Sequence, residues 1–140
     1  MDTTRILVVE DNIDDEMLTL RALKGLTFPI EIEVARNGAE AIDQLDKSRG
    51  KKLPDLIVLD IKMPLVGGMD VLRSIRRDLE MEGLPVLILS SSEESEDVLS
   101  ASLLSCSAYV RKEIDMASYI GNVQKEVSRL LRKPMPATGA

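Results

Sequence analysis

Asp60 closes the run LIVLD, an apolar stretch that ends in a carboxylate. Other strand-like runs end in polar groups too. RILVVE leads into Glu10 and Asp11, LPVLILS ends in Ser90, and SAYVRK ends in Lys112. A buried strand cannot tolerate an unpaired charge in its middle, but it can present one at its end. If the strands are parallel, Glu10, Asp11, Asp60, Ser90 and Lys112 share one edge of the sheet, where open α/β sheets bind their ligands. Carboxylates that close raise one another's pKa or demand a cation. The chain has no histidine and one cysteine, so the donors are oxygens, which suit Mg2+ or a similar hard ion. A lysine and a hydroxyl facing the same point are what a transferred phosphoryl group needs. A carboxylate can be the nucleophile and form an aspartyl-phosphate. These residues together imply that Asp60 accepts a phosphoryl group beside Mg2+. Singly, each has a plainer reading. Glu10 and Asp11 can start a helix, Ser90 can be a turn serine, and Lys112 can be a solvated charge.

The elements that must carry these groups alternate along the chain. RILVVE (5–10) is rich in β-branched residues, and Ile13, Met17, Leu20 and Leu23 then recur at helical spacing. Asp14, Asp15 and Glu16 fall in that helix's first turn, where acids favour the dipole. IEIEVA (30–35) alternates with period two and ends in Ala35-Arg36, which adds nothing distinctive to the edge. Asn37-Gly38 turns the chain into a helix marked by Ala39, Ile42 and Leu45. After the third strand, Pro64, Gly67 and Gly68 break the chain, and Val71, Leu72, Ile75 and Leu79 rebuild a helix. A fourth helix is expected over EESEDVLSASLL, and a fifth carries Met116, Ile120, Val123, Val127, Leu130 and Leu131. Alternating strands and helices predict an α/β fold, a five-stranded parallel sheet covered on both faces. Its crossovers are right-handed.

Composition narrows the classes. A chain of 140 residues, 44% apolar and 30% charged, fits one globular domain. No apolar run reaches the ~18–20 residues that span a bilayer, so no membrane association is expected. The start, MDTTRILVVED, lacks the pattern of an export signal. The lone Cys106 is expected to be a small buried residue in a reducing cytoplasm. A net charge of −6 and 2% aromatics argue against direct nucleic-acid binding.

With those residues in place, the chain resembles the receiver domains of two-component response regulators over about residues 5 to 131. LVVEDN is similar to that family's acidic pair, and VLDIKMPLVGG to its phosphoacceptor stretch. Ser90 follows Asp60 by 30 residues and Lys112 follows Ser90 by 22, as the family's switch hydroxyl and lysine do. The resemblance implies a doubly wound (βα)5, flavodoxin-like fold with strand order 2-1-3-4-5. It also implies Asp60 as phosphoacceptor, and Mg2+ held by Glu10, Asp11, Asp60 and the backbone carbonyl of Lys62. Lys112 and Ser90 would meet the phosphoryl oxygens, and Tyr109 would turn inward behind Ser90 as a switch. The chain would be no enzyme beyond phosphorylating and dephosphorylating itself. Its donor would be a sensor histidine kinase or a histidine phosphotransfer protein.

Residues 1–132 are expected to form a stand-alone receiver, with a disordered tail over 133–140. VVEDNIDDEMLTLRALK further resembles the single-domain regulators paired with bacterial phytochrome kinases. Those dimerise through the fourth helix, fifth strand and fifth helix, a face that here would carry Val98, Leu99, Leu103 and Tyr109. Some positions depart from the family pattern. Glu113 replaces a proline that usually follows the lysine, Gly67 replaces a commoner acid, and Lys62 and Ser92 occupy positions that tune dephosphorylation.

Rival readings are weaker. A haloacid-dehalogenase-type hydrolase also forms an aspartyl-phosphate, but needs an Asp two residues after the nucleophile, where this chain has Lys62. A flavin-binding protein of like topology needs a phosphate cradle where EDNIDDE places carboxylates. A receiver-fold interaction module that works without phosphorylation usually loses the acids that this chain retains.

Overall fold

The computed structural model describes residues 3–61, 66–90, 106–112 and 115–135. They form β1 (Thr4–Val9), α1 (Ile13–Lys24), β2 (Ile30–Ala35), α2 (Gly38–Lys47), β3 (Leu56–Asp60), α3 (Gly68–Arg76), β4 (Val86–Ser90), β5 (Ala108–Arg111) and α4 (Met116–Leu131). The helix expected over EESEDVLSASLL lies outside the described residues.

All strand pairs are parallel, and the order is β2-β1-β3-β4-β5. Period-two alternation sorts the strand side chains into two layers. Leu7, Val9, Ile57, Leu59 and Ile88 pack with Ala41 and Leu45 of α2 and with Val71, Leu72 and Ile75 of α3. Ile6, Val8, Val58, Leu87, Leu89 and Val110 pack on the other face, against Ala22 and Leu23 of α1 and Tyr119, Val123 and Val127 of α4. Both faces of β3 and β4 are therefore buried, which explains their unbroken apolar sequences.

Side-chain caps start three helices. Asn12, Asn37 and Asp115 accept from the backbone N–H three residues on, in α1, α2 and α4. The Asn37-Gly38 pair thus opens a helix, as the spacing after it predicts.

The helices differ from the sequence expectation in places, and Ala39 of α2 and Met116 of α4 are exposed. In α1, Ile13 and Met17 are exposed, at 64% and 63%, while Glu16, Thr19, Ala22 and Leu23 are buried. The buried face is partly polar because each polar member has a distant partner. Thr19 Oγ1 and Tyr119 Oη are 2.9 Å apart and share a hydrogen bond. The Glu16 carboxylate accepts from the Arg36 guanidinium. A further correction concerns α3, which ends at Arg76, so Leu79 lies beyond it and is 87% exposed. Asp78 builds a turn there. Its side chain accepts from Glu80 N–H at 2.9 Å, its carbonyl accepts from Met81 N–H at 3.0 Å, and it pairs with Arg49.

Candidate functional site

The strand order reverses direction between β1 and β3, which leaves a crevice beyond their carboxyl ends. Glu10 and Asp11 follow β1, and Asp60 ends β3. One carboxylate oxygen from each of the three lies within 4.8 Å of the others. Glu10 and Asp60 are buried, and Asp11 is exposed at the crevice mouth. Ser90, fully buried, ends β4 one strand further along. Its carbonyl accepts from Lys112 N–H at 2.8 Å, which fixes the start of the lysine just past β5.

The Lys112 side chain then reaches back across the sheet edge. Its Nζ lies 2.7 Å from Glu10 Oε1, 3.1 Å from Asp15 Oδ2 and 3.5 Å from Asp60 Oδ1. The lysine side chain is 12% exposed and those of Glu10 and Asp60 are buried, so these two contacts are shielded from water and stronger than surface pairs. Burial works against its charge, but the hydrogen bond to Glu10 and the charges of Asp60 and Glu10 prevail. They hold Lys112 above the ordinary lysine range. Glu10 is perturbed in turn. Burial chiefly, then the hydrogen bond and charge of Asp60, push it up to about 8 against the pull of Lys112. The cluster therefore carries more negative charge than one lysine balances. Oxygen donors with surplus negative charge fit a hard divalent cation.

Tyr109 is half-buried on β5 and packs at the rim of the layer that holds α2 and α3. Lys62, Ser92, Val98, Leu99, Leu103 and Glu113 lie outside the described residues. Cys106 is half-buried, and burial raises its thiol pKa. Arg36, at the end of β2, turns to Glu16 of α1.

Asp15 is the residue that sequence reasoning passed over. It reads as one acid among several favouring a helix N-terminus. It is the third residue of α1, and Asn12 Oδ1 accepts from its N–H at 3.0 Å. That cap orients the first turn so that the Asp15 carboxylate meets Lys112. The available signal was its position one turn beyond the acidic pair, on the helix that leaves the crevice.

Gly68 seats α3 directly under Asp60. Its N–H donates to Ile61 carbonyl at 3.1 Å. A Cβ there would overlap the Asp60 carbonyl oxygen and lie 2.6 Å from Ile61 Cα. These are backbone atoms, so Gly68→Ala must move the strand end or the helix start. The expected loss is about 3 kcal/mol, the upper end for overpacking. Urea denaturation with an unchanged m-value checks it. A midpoint equal to wild type would mean that the close approach is relieved at no cost.

No helix among the described residues is long and apolar enough to cross a membrane.

The family model for the response regulator receiver domain matches residues 6–124. The protein named "Probable methanogenesis regulatory protein FilR2", from Methanothrix harundinacea (strain 6Ac), is 32% identical over 137 residues, covering 94% of this chain and 88% of that one. Response regulator Rcp1 of Synechocystis sp. is 30% identical over 122 residues, covering 85% and 83%. The Mn2+-bound form of Rcp1 superposes with a TM-score of 0.83 at 29% identity, over 96% of this chain and 99% of that one. The phosphorylated cyanobacterial phytochrome response regulator RcpA superposes with a TM-score of 0.86 at 29% identity, over 97% and 100%.

Proposed function

The chain belongs to the response regulator receiver domain family, and from that premise we propose that it takes a phosphoryl group onto Asp60 and passes the signal on by changing shape. The observation that carries this reading is the meeting of Glu10, Asp11, Asp60 and Lys112 at the switch point of the sheet.

The donor is a phosphohistidine outside these 140 residues, which contain no histidine. A carboxylate oxygen of Asp60 attacks phosphorus, a P–O bond forms and the P–N bond breaks. The imidazole leaves with the bonding pair and takes up a proton. Lys112 faces the negative phosphoryl oxygens with its ammonium, and the Ser90 hydroxyl donates to another of them. Glu10, Asp11, Asp60 and the backbone carbonyl of Lys62 would hold Mg2+. When bound, the ion neutralises charge that builds on the transferred group. Capture of the phosphoryl group by Ser90 draws Tyr109 inward, and the surface around β5 and α4 changes for a partner.

The likeness to Rcp1 and RcpA supports a sensor histidine kinase of the phytochrome type as donor, in the cytoplasm, with a histidine phosphotransfer protein as the other source of the same chemistry. Intact mass after incubation with acetyl phosphate tests the reading. We expect a gain of one phosphoryl group in Mg2+ and none in chelator. No gain in either, together with no Mg2+ binding, would leave an interaction module that works without phosphorylation.

A further inference from the structure

Lys112 is held by more than the residues that would bind the metal. Of its three carboxylate partners, Glu10 and Asp60 belong to the oxygen cluster suited to a divalent cation, and Asp15 does not. A cation there would engage the oxygens of Glu10 and Asp60 and repel the ammonium. The contact that survives is the one to Asp15 Oδ2, at 3.1 Å.

Among the described residues, the Asp15 carboxylate has no hydrogen-bond partner other than Lys112. An acid at the third position of a helix commonly reaches back to the N-cap N–H. Here the Asn12 N–H points instead to Glu10 Oε2, at 3.5 Å. The Asp15 side chain is 43% exposed. The α1 backbone that carries it is fixed by the Asn12 cap and by the buried Thr19–Tyr119 bond to α4.

We propose that Asp15 is a positioning residue, the anchor that keeps the Lys112 ammonium at the site once a divalent cation has taken Glu10 and Asp60. This rests on the receiver reading above and adds a residue to it. Without the anchor, the ammonium swings toward solvent and meets the incoming phosphoryl oxygens less often. Asp15 touches neither the phosphoryl group nor the metal and acts through Lys112 alone.

Three measurements test this on the full chain, the first two with saturating Mg2+. The first is the Lys112 ammonium signal in 1H–15N spectra, assigned by its loss in Lys112→Arg. Wild type should show a pinned, slowly exchanging ammonium, and Asp15→Asn should lose it while Asp15→Glu retains it. The second is the maximal rate of phosphoryl uptake from acetyl phosphate. Asp15→Asn should lower it about tenfold, the weight of one modest charge-assisted hydrogen bond, and Asp15→Glu should restore most of it. Calorimetric Mg2+ affinity of Asp15→Asn should stay within about threefold of wild type, since a screened charge outside the metal's own oxygens contributes weakly.

A wild-type ammonium that is already mobile in Mg2+ overturns the proposal, as does one that stays pinned in Asp15→Asn. Loss of Mg2+ binding in Asp15→Asn also overturns it, because the residue would then be a ligand. Equal uptake by wild type and Asp15→Asn removes Asp15 and leaves the receiver reading intact. No uptake by wild type removes that reading first.

Discussion

Asp60→Asn takes up no phosphoryl group from acetyl phosphate at any Mg2+ concentration, and in metal-free buffer it resists urea better than wild type. The first result follows from chemistry. An amide oxygen is a poor nucleophile, and no other carboxylate ends β3. The second follows from the charges. With Asp60 neutral, Lys112 loses one attraction, at 3.5 Å, while Glu10 and Asp11 each lose a repulsion. The net gain should be about 1–2 kcal/mol, the scale of one like-charge contact in a half-shielded site.

The gain also has a pH signature. Folding raises Glu10 from its ordinary 4.5 to about 8. The native state therefore keeps a proton that the unfolded chain has lost between those values. Stability present below about 4.5 is lost as pH rises through about 8. Asp60 contributes to that shift by its hydrogen bond and its charge, so removing it lowers the Glu10 pKa and flattens the decline. The advantage of Asp60→Asn should shrink toward pH 5 and be greatest at pH 8. Urea midpoints in chelator across that range decide it. A variant less stable than wild type at pH 8 would mean that the attraction to Lys112 dominates the cluster.

Lys112→Ala should lose both stability and uptake. The substitution leaves Glu10, whose side chain is 1% exposed, without the cation 2.7 Å away. Above about pH 8, where Glu10 is ionised in wild type, removing one partner of this buried ion pair costs about 3–5 kcal/mol, because the remaining charge has no compensation, and the loss shrinks at lower pH as the carboxyl takes up a proton. Adding Mg2+ should recover more stability in this variant than in wild type, since the ion then supplies positive charge without competing against an ammonium. Uptake from acetyl phosphate should fall about a hundredfold, the usual cost of losing one preorganised group that faces developing charge. Denaturation with and without Mg2+, beside the uptake rate, separates the two losses. Equal stability of Lys112→Ala and wild type in chelator above about pH 8 would show that water, not Lys112, compensates Glu10.

The parts of this site that were legible in the sequence are those that local pattern records. A run such as LIVLD announces a strand buried on both faces, and the acid at its end announces which edge carries charge. Glu10, Asp11, Ser90 and Lys112 follow from the same rule, because a strand end is a local feature and a parallel sheet aligns all such ends. The Asn37-Gly38 turn into α2 was equally local, a side-chain cap three residues from the N–H it satisfies.

Other features needed the folded chain. Hydropathy marked Ile13 and Met17 as the inner face of α1, yet they are exposed and Glu16 and Thr19 are inside. Polar groups can be buried only when something pairs them, and their partners are Arg36 and Tyr119, the latter 100 residues away. Leu79 continued a helical period, but Asp78 found Arg49 and closed a turn before it. Asp15 looked like one more dipole-favouring acid until the edge of β5 brought Lys112 within 3.1 Å. Sequence alone determined the order of the described elements and the groups at their ends, because periodicity and end residues depend on neighbours in the chain. The tertiary structure decided which charges meet, because an ion pair depends on distances that no local pattern contains.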